Sequence, residues 1–280
     1  MTRAVAALAA VAALLPAAGA AALPTVASIN LCTDQLVLRL ADASQILTLS
    51  WLSADPQESM LAAEAARFPP NYGSAEELLR YDPDVVIAGS FTNAFTRALL
   101  RDLGYEVVEV PPAESFAEIE ANVRTVSGAI GRAGRGEAEI AAMRSQVERY
   151  RRARASSDVR GVVVRPGGFT VEAGSLANDL MTLAGLRNVS AEEGLDRWGS
   201  LSVETLVRSA PELLIFTGYR AQDASLANEV FTHPALEALA ARVPSAVVPA
   251  AQWSCGLPES LASVETMRRA AAVVAGSAEK

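Results

Sequence analysis

Residues Glu137 to Arg154, which read EAEIAAMRSQVERYRRAR, determine the architecture that the sequence predicts. This stretch contains neither glycine nor proline, and its apolar side chains recur at helical spacing, at Ile140, Met143, Val147 and Tyr150. This periodicity predicts one long helix of about 27 Å. The chain upstream, from residue 115, is helix-forming too. The glycine-containing segment 131–136 between the two helical stretches is predicted to be an inter-helix turn, because a phosphate-binding loop would need a preceding strand and a Lys-Ser/Thr ending.

On both sides of this helix, short β-branched segments alternate with helical ones. Before it, strands are predicted at Thr25–Asn30, Gln45–Leu49, Asp84–Ala88 and Glu106–Val110, and helices at Asp34–Leu40, capped by Thr33, and Asn93–Leu103. After it, strands are predicted at Val159–Val164, Phe169–Glu172, Leu213–Phe216 and Ala246–Val248, and helices at Ala177–Ala184 and Pro258–Ala275. Such alternation is typical of parallel βαβ units. The sequence therefore predicts two α/β lobes, residues 23–133 and 157–280, joined by a linking helix at residues 134–156.

The first 22 residues predict export. Arg3 is followed by an apolar run from Ala4 to Leu15, then by Pro16 and small residues up to Ala22. This order of charge, hydrophobic segment and small-residue cleavage site is typical of a secretory signal peptide. The apolar run is also shorter than the roughly 18 residues that a membrane span needs. We expect cleavage near residues 21–23 and a mature protein in the periplasm.

The composition argues against several classes of function. Lys and Arg number 24 against 32 Asp and Glu, a net charge of −8, and no basic tract is present, so nucleic-acid binding is not expected. His233 is the only histidine, which argues against histidine-based metal chemistry. A hydrolase triad would have this single imidazole as its base, and no nucleophile-elbow motif accompanies it. We predict no catalytic residue, no metal ligand, no cofactor and no enzymatic activity.

One block of sequence occurs twice. Residues 73–86 read GSAEELLRYDPDVV and residues 200–214 read SLSVETLVRSAPELL, each a short helical segment followed by proline, an acidic residue and a strand. Together with residues 26–36, VASINLCTDQL, these blocks resemble the helix-linked class of periplasmic substrate-binding proteins. Proteins of that class serve ABC importers of iron–siderophores, cobalamin and haem. The resemblance extends over essentially the whole mature chain and implies a ligand cleft between the lobes.

The resemblance also implies a docking partner, an ABC permease–ATPase complex in the inner membrane. In this family a glutamate on each lobe meets arginines of the permease, and Glu76 and Glu204 occupy matching places in the two blocks. Two carboxylates held apart by a stiff helix would steer association and fix its orientation. The alternative is that each glutamate only favours the helix dipole in a first turn. Glu77 is the alternative to Glu76.

We expect the ligand outside the carboxyl ends of the strands. The loops predicted there carry aromatic residues, Trp51, Tyr72, Phe91, Trp198, Tyr219 and Trp253, and polar residues, Asn30, Thr33, Asp34, Ser90, Arg165, Arg197, Arg220 and Gln252. Aromatic residues make up only 5% of the chain, yet all three tryptophans fall in these loops, which favours a cleft lined with flat, apolar surfaces over core packing. An arginine there would pair with a carboxylate or phosphate of the ligand.

Cys32 and Cys255 are the only cysteines. An oxidising periplasm favours a disulfide between them, although sequence alone does not give their distance. By the resemblance, both segments border the cleft, one from each lobe. A disulfide would then hold the lobes together, whereas free thiols would be available to touch a ligand or a metal.

These observations predict capture of a bulky metal chelate by a monomer and its delivery to the permease. An iron–siderophore is the first choice of ligand, and cobalamin or another corrinoid and haem are the alternatives, followed by a periplasmic enzyme. The predicted ligand-binding residues are Asn30, Cys32, Thr33, Trp51, Tyr72, Phe91, Arg165, Trp198, Tyr219, Arg220 and Trp253.

Overall fold

The computed structural model describes residues 22–153, 158–195, 199–218 and 225–278, and within them two parallel β-sheets form the frame. The strands of the first sheet are β1 (Val26–Ser28), β2 (Ile46–Ser50), β3 (Pro70–Asn71), β4 (Val85–Gly89) and β5 (Glu106–Val110). Those of the second sheet are β6 (Val159–Val164), β7 (Leu186–Asn188), β8 (Leu213–Phe216) and β9 (Ser245–Val247). The strand orders are β3-β2-β1-β4-β5 and β7-β6-β8-β9, and every pairing between these strands is parallel.

Helices connect the strands and link the two sheets. Before the link come α1 (Leu31–Leu40), α2 (Ala62–Ala65), α3 (Ala75–Leu79), α4 (Ala94–Asp102) and α5 (Phe116–Ala129). The linking helix is α6 (Ala133–Arg152), followed by α7 (Leu176–Leu183), α8 (Val189–Glu192), α9 (Val203–Arg208), α10 (Pro234–Ala240) and α11 (Leu261–Ala278). We call the elements before α6 the N-terminal lobe and those after it the C-terminal lobe. The predicted fold class, two α/β lobes with one long helix between them, is confirmed.

The turn before α6 is shorter than predicted. Only residues 130–132 lie between α5 and α6, with Gly131 at a φ of 71°, so Gly134 and Gly136 are helical. A Cβ at Gly136 would lie 2.2 Å from Oγ of Ser127, so glycine is what lets the two helices approach closely here.

Two further local predictions were wrong. Helix α1 begins at Leu31 and is capped by Asn30, not by Thr33, because the Asn30 side-chain oxygen accepts hydrogen bonds from the N–H groups of Cys32 (3.0 Å) and Thr33 (3.4 Å). The segment at residues 169–172 is not a strand, and Phe169 makes only an isolated antiparallel bridge to Ser200. Strand β6 already has a partner on each side, β7 and β8, so this segment cannot pair with it in the sheet. It folds back over the carboxyl end of β6 instead.

Alternating strand residues build cores on both faces of each sheet. On the outer faces, Val86 belongs to a cluster within the N-terminal lobe and Val162 to a cluster within the C-terminal lobe. The inner faces share one cluster, which contains Ile87, Val163 and the α6 residue Met143. The linking helix is therefore packed into a core that belongs to both lobes.

Two predicted segments lie partly outside the described residues. The predicted signal peptide, residues 1–22, lies outside the described residues except for its last position, as do residues 154–156 of the predicted linking helix. Across the described ranges, no helix combines the length and hydrophobicity that a membrane crossing requires.

A segment of the C-terminal lobe reaches across to the N-terminal lobe. Cys255 forms a disulfide with Cys32 in α1, and its sulfur also lies 3.7 Å from the amide nitrogen of Gln35. Four residues further on, Glu259 forms an ion pair with Arg39, also in α1. We call residues 255–259 the inter-lobe strap.

A buried carboxyl group lies at the start of α1, beside β2. Asp34 is fully buried, and its Oδ2 accepts hydrogen bonds from both the N–H and the hydroxyl of Ser50. Burial raises the pKa of Asp34 to about 7, because the hydrogen bonds from nearby serines offset only part of the lost hydration. The folded protein therefore binds a proton at Asp34 more tightly than the unfolded chain does.

The disulfide is expected to stabilise the fold. Replacing both cysteines, Cys32→Ser with Cys255→Ser, should lower the free energy of unfolding by about 2–5 kcal/mol, because the bond joins residues 223 positions apart in sequence. Urea unfolding of the oxidised protein and the double variant measures this. Reduced wild-type protein should unfold like the variant, and the variant should not respond to reductant. Equal unfolding midpoints for oxidised protein and variant would contradict the expectation.

The buried carboxyl group predicts a pH dependence of stability. Because the pKa of Asp34 is higher in the folded state, stability falls as pH rises from about 4 to about 7. Asp34→Asn should therefore raise the free energy of unfolding at pH 8, by about 4 kcal/mol, and change it little at pH 4. The control is Asp84→Asn, because hydrogen bonds from the backbone and hydroxyl of Thr25 lower the pKa of Asp84. It should lose stability at pH 8, and a gain like that of Asp34→Asn would refute the assignment.

Candidate functional site

The carboxyl edges of the two sheets face each other. Because the strands of each sheet are parallel, their carboxyl ends lie along one edge, where open α/β sheets bind ligands. Cys32 follows β1 and Cys255 follows β9, and their disulfide holds the two Cα atoms 5.3 Å apart. The bond therefore brings the carboxyl edges of the two sheets together, and the cleft between these edges is the candidate site.

The N-terminal wall of the cleft is aromatic. Trp51 follows β2 and Tyr72 follows the neighbouring β3, so their rings stack with centroids 6.2 Å apart and planes 28° apart. Phe91 lies in the turn after β4, and Phe95 lies in the first turn of α4, which follows. The exposed fractions are 49% for Trp51, 72% for Tyr72, 88% for Phe91 and 76% for Phe95. Such exposure of neighbouring large apolar side chains is typical of a binding surface.

The C-terminal wall combines a cation with an aromatic ring. Arg165 follows β6, and its guanidinium carbon lies 5.5 Å from the ring centroid of Trp253, a cation–π contact. Trp253 is only 9% exposed, and its indole N–H donates a hydrogen bond to the hydroxyl of Thr217 (2.9 Å). Trp253 therefore packs against the guanidinium of Arg165 on the side away from solvent and presents little of its own surface to the cleft.

A cavity of about 300 Å³ opens beside Arg165. Its lining residues are Arg165, Pro166, Phe169, Thr170, Glu172 and Gly199. Burial lowers the pKa of Arg165, and the negative charge of Glu172 acts in the opposite direction. The arginine nevertheless stays protonated, as arginines in proteins do, so the cavity contains a permanent positive charge that is mostly removed from water.

Several of the predicted ligand-binding residues lie in supporting positions. Asn30 caps α1, Cys32 is in the disulfide, and Thr33 is buried and bonded to the Ser28 hydroxyl (2.8 Å). Of the other polar candidates, Ser90 is partly buried at the end of β4, and Gln252 accepts a hydrogen bond from Thr266. Four candidates lie outside the described residues: Arg197, Trp198, Tyr219 and Arg220. The structure thus brings Trp51, Tyr72, Phe91 and Arg165 to the cleft walls.

Sequence reasoning missed three residues of the walls. Phe95 was assigned to a helix without a role, although it lies in the first turn of α4, close in sequence to the carboxyl end of β4. Phe169 and Glu172 were hidden by the incorrect strand prediction. The Pro-Gly-Gly turn before Phe169 was the available signal, since Gly167 and Gly168 have φ values of 73° and 72°, which reverse the chain at the carboxyl end of β6.

Glu76 and Glu204 occupy equivalent positions in the two lobes. Each is exposed in the first turn of a helix, α3 or α9, whose N-cap is a serine that accepts a hydrogen bond from the third helical residue. The pKa of Glu204 is lowered by its own backbone N–H and by the Ser202 hydroxyl. Each helix ends shortly before the amino end of the next strand, so its first turn lies at the opposite, carboxyl edge of the sheet. Both glutamates are in these first turns and therefore lie on the rim of the cleft.

The chemistry available in the cleft is binding by apolar surface and by a fixed cation. Within the described ranges, His, Cys, Asp and Glu side chains form no group of three that could hold a metal ion. His233 caps α10, where its Nδ1 accepts a hydrogen bond from the Ala235 N–H (3.2 Å).

The fold is shared with solved periplasmic proteins. A possible iron-binding, periplasmic solute-binding protein from Staphylococcus epidermidis ATCC 12228 matches with 15% identity and a TM-score of 0.72, over 89% of this chain and 98% of that one. The haem-binding protein RhuT from Roseiflexus sp. RS-1 matches with 18% identity and a TM-score of 0.70, over 88% and 98%. The vitamin B12-binding protein BtuF of Vibrio cholerae matches with 17% identity and a TM-score of 0.65, over 90% and 98%.

These identities are low enough that the three structures establish the fold alone. No curated protein sequence matches the chain significantly. The family model described as periplasmic binding protein matches residues 26–242. This range includes the whole of α6 and every strand of the two sheets except β9. With its two lobes, its linking helix and this match over most of its length, the chain belongs to the periplasmic binding protein family.

Proposed function

We propose that this protein captures a bulky metal chelate in the periplasm and delivers it to an ABC permease–ATPase complex without chemical change. The observation that carries the proposal is the pairing of an exposed aromatic wall, Trp51, Tyr72, Phe91 and Phe95, with an arginine-bearing wall across a cleft between preformed lobes. Burying flat ligand surface against such rings supplies affinity without any reacting group. The permease and its ATPase would supply the energy of transport.

Two classes of ligand fit this cleft. An iron–siderophore is the first choice, because the walls offer a broad apolar face and a cation, which suit a bulky chelate that is already fully coordinated. Haem is the second candidate and is favoured by Tyr72, since its exposed phenol is a group that haem iron accepts as an axial ligand. Solved neighbours named for iron, haem and vitamin B12 support this range of ligands.

Ligand binding is expected to quench tryptophan fluorescence, because Trp51 is half exposed on the proposed wall. Titration with ferric siderophores, cobalamin, cobinamide and haem, checked by native mass spectrometry, should give a dissociation constant of about 1 μM or tighter for one of them. Removing the stacked pair, Trp51→Ala with Tyr72→Ala, should weaken that ligand at least about tenfold. Leu103→Ala is the control, since Leu103 is half exposed at the far end of α4. No binding of any of these ligands would refute the proposal.

Permease docking predicts a separation of transport from binding. The double charge reversal Glu76→Lys with Glu204→Lys should abolish uptake by the reconstituted importer, because like charges would then meet the proposed permease arginines. Ligand affinity should stay within about twofold of wild type.

The control for docking reverses two other exposed glutamates, one per lobe. Glu64→Lys with Glu237→Lys makes the same change in net charge, also in helical first turns. Uptake should survive in this variant. Loss of uptake in both double variants would show a general charge effect, and weakened ligand binding in the Glu76–Glu204 variant would show that those residues were misassigned.

A further inference from the structure

Arg165, the arginine beside the cavity, differs in its described contacts from two other arginines of the chain. Within the described part of the chain, the guanidinium of Arg165 forms neither an ion pair nor a hydrogen bond, and its contact there is with the Trp253 ring. Arg160, five residues earlier, pairs with Glu192 at 2.9 Å. Arg268 also lies over an aromatic ring, that of Tyr150, but it donates a hydrogen bond to the Ala153 carbonyl (2.9 Å).

A mostly buried cation without an anionic partner is costly unless a ligand supplies one. Taking a charge out of water is unfavourable, and a guanidinium offers donors in a planar fork that matches a carboxylate or phosphate. Glu172 lines the same cavity and acts on Arg165 through its charge, but it lies beyond ion-pair distance. As far as the described residues are concerned, Arg165 therefore has its hydrogen-bonding fork available at the wall of a preformed cavity.

We propose that the cavity beside Arg165 is a subsite for an acidic arm of the ligand, so that the preferred cargo is a chelate bearing a free carboxylate. This inference rests on the proposed function. The cavity, at about 300 Å³, is at the lower end of the range for whole small-molecule sites. It therefore suits one arm of a bulky ligand whose flat body lies on the aromatic wall. Phe169 and Pro166 enclose the stem of the arm, and Thr170 contributes a polar group at the cavity wall.

A small anion tests the subsite without any chelate. Tricarballylate, added to the oxidised mature protein, should cause a saturable shift of one arginine Nε–H resonance in ¹H–¹⁵N spectra. That resonance should be missing in Arg165→Gln, and Arg165→Lys should retain weak binding because a lysine keeps the charge but loses the fork. Glu172→Gln is the matched control, since removing the nearby negative charge should tighten tricarballylate binding.

Matched ligand pairs test the preference for an acidic arm. The pairs are haemin and its dimethyl ester, cobyric acid and cobinamide, and the N-succinyl and N-acetyl derivatives of ferrioxamine B. In the pair that binds, the acid should bind about tenfold tighter or more than its neutral partner. Arg165→Gln should reduce that preference to within about twofold and leave the affinity of the neutral member nearly unchanged. Circular dichroism and unfolding midpoints check that the variants fold.

The outcomes separate this inference from the proposed function. The inference is overturned if tricarballylate gives no saturable shift at Arg165, or if acid and neutral members bind equally well to the wild-type protein. Binding of tricarballylate at Arg165 with no binding of any chelate would instead refute the proposed function and leave an anion site. Equal loss of affinity for both members in Arg165→Gln would show a structural role for the arginine and overturn the inference.

Discussion

The apolar stripe of α6 determines how the two lobes face each other. Ile140, Met143 and Val147 are buried in a single core with residues of both sheets, so the helix is packed on either side and is not a free linker. Sliding or rotation of one lobe against the other would expose this shared core to water, at roughly 25 cal/mol per Å² of apolar surface. The contacts that stabilise the fold therefore also limit how far the cleft can open.

Under the proposed function, the two walls of the cleft contribute differently to ligand recognition. The N-terminal wall carries Trp51, Tyr72 and Phe91 in the segments that follow the carboxyl ends of β2, β3 and β4. The C-terminal wall holds Arg165 in place through Trp253, whose own N–H is held by Thr217. Large apolar contacts give affinity with little directional preference, whereas a fixed guanidinium discriminates between charged and neutral groups. Selectivity should therefore depend on the C-terminal wall.

Most of the fold could be predicted from local sequence patterns. Most of the site could not, because it depends on contacts between residues that are distant in sequence. The strands Glu106–Val110 and Val159–Val164 were predicted to the residue, because each is a short run rich in β-branched residues with clear breaks at its ends. Strand β3 was missed since it is two residues long and starts with proline. The placement of Arg165 over Trp253 joins residues 88 positions apart in sequence, and no local signal identifies which of several loop arginines would meet that ring.

The positions of the tethers constrain how a ligand can leave. The strap and α6 lie on the same side of the molecule, since α6 contacts the turn at residues 258–260. Glu76 and Glu204, by contrast, stand on the rim of the cleft, on exposed helix starts. A partner that engaged both glutamates could not separate the lobes at the tethered side, where the disulfide and α6 join them. It could widen the cleft only by tilting the lobes about that side. Arg165 lies over Trp253, two residues before Cys255 of the strap, so the cavity beside Arg165 is close to the tethered side and would open little. Release of the ligand would then be governed by the contact at Arg165.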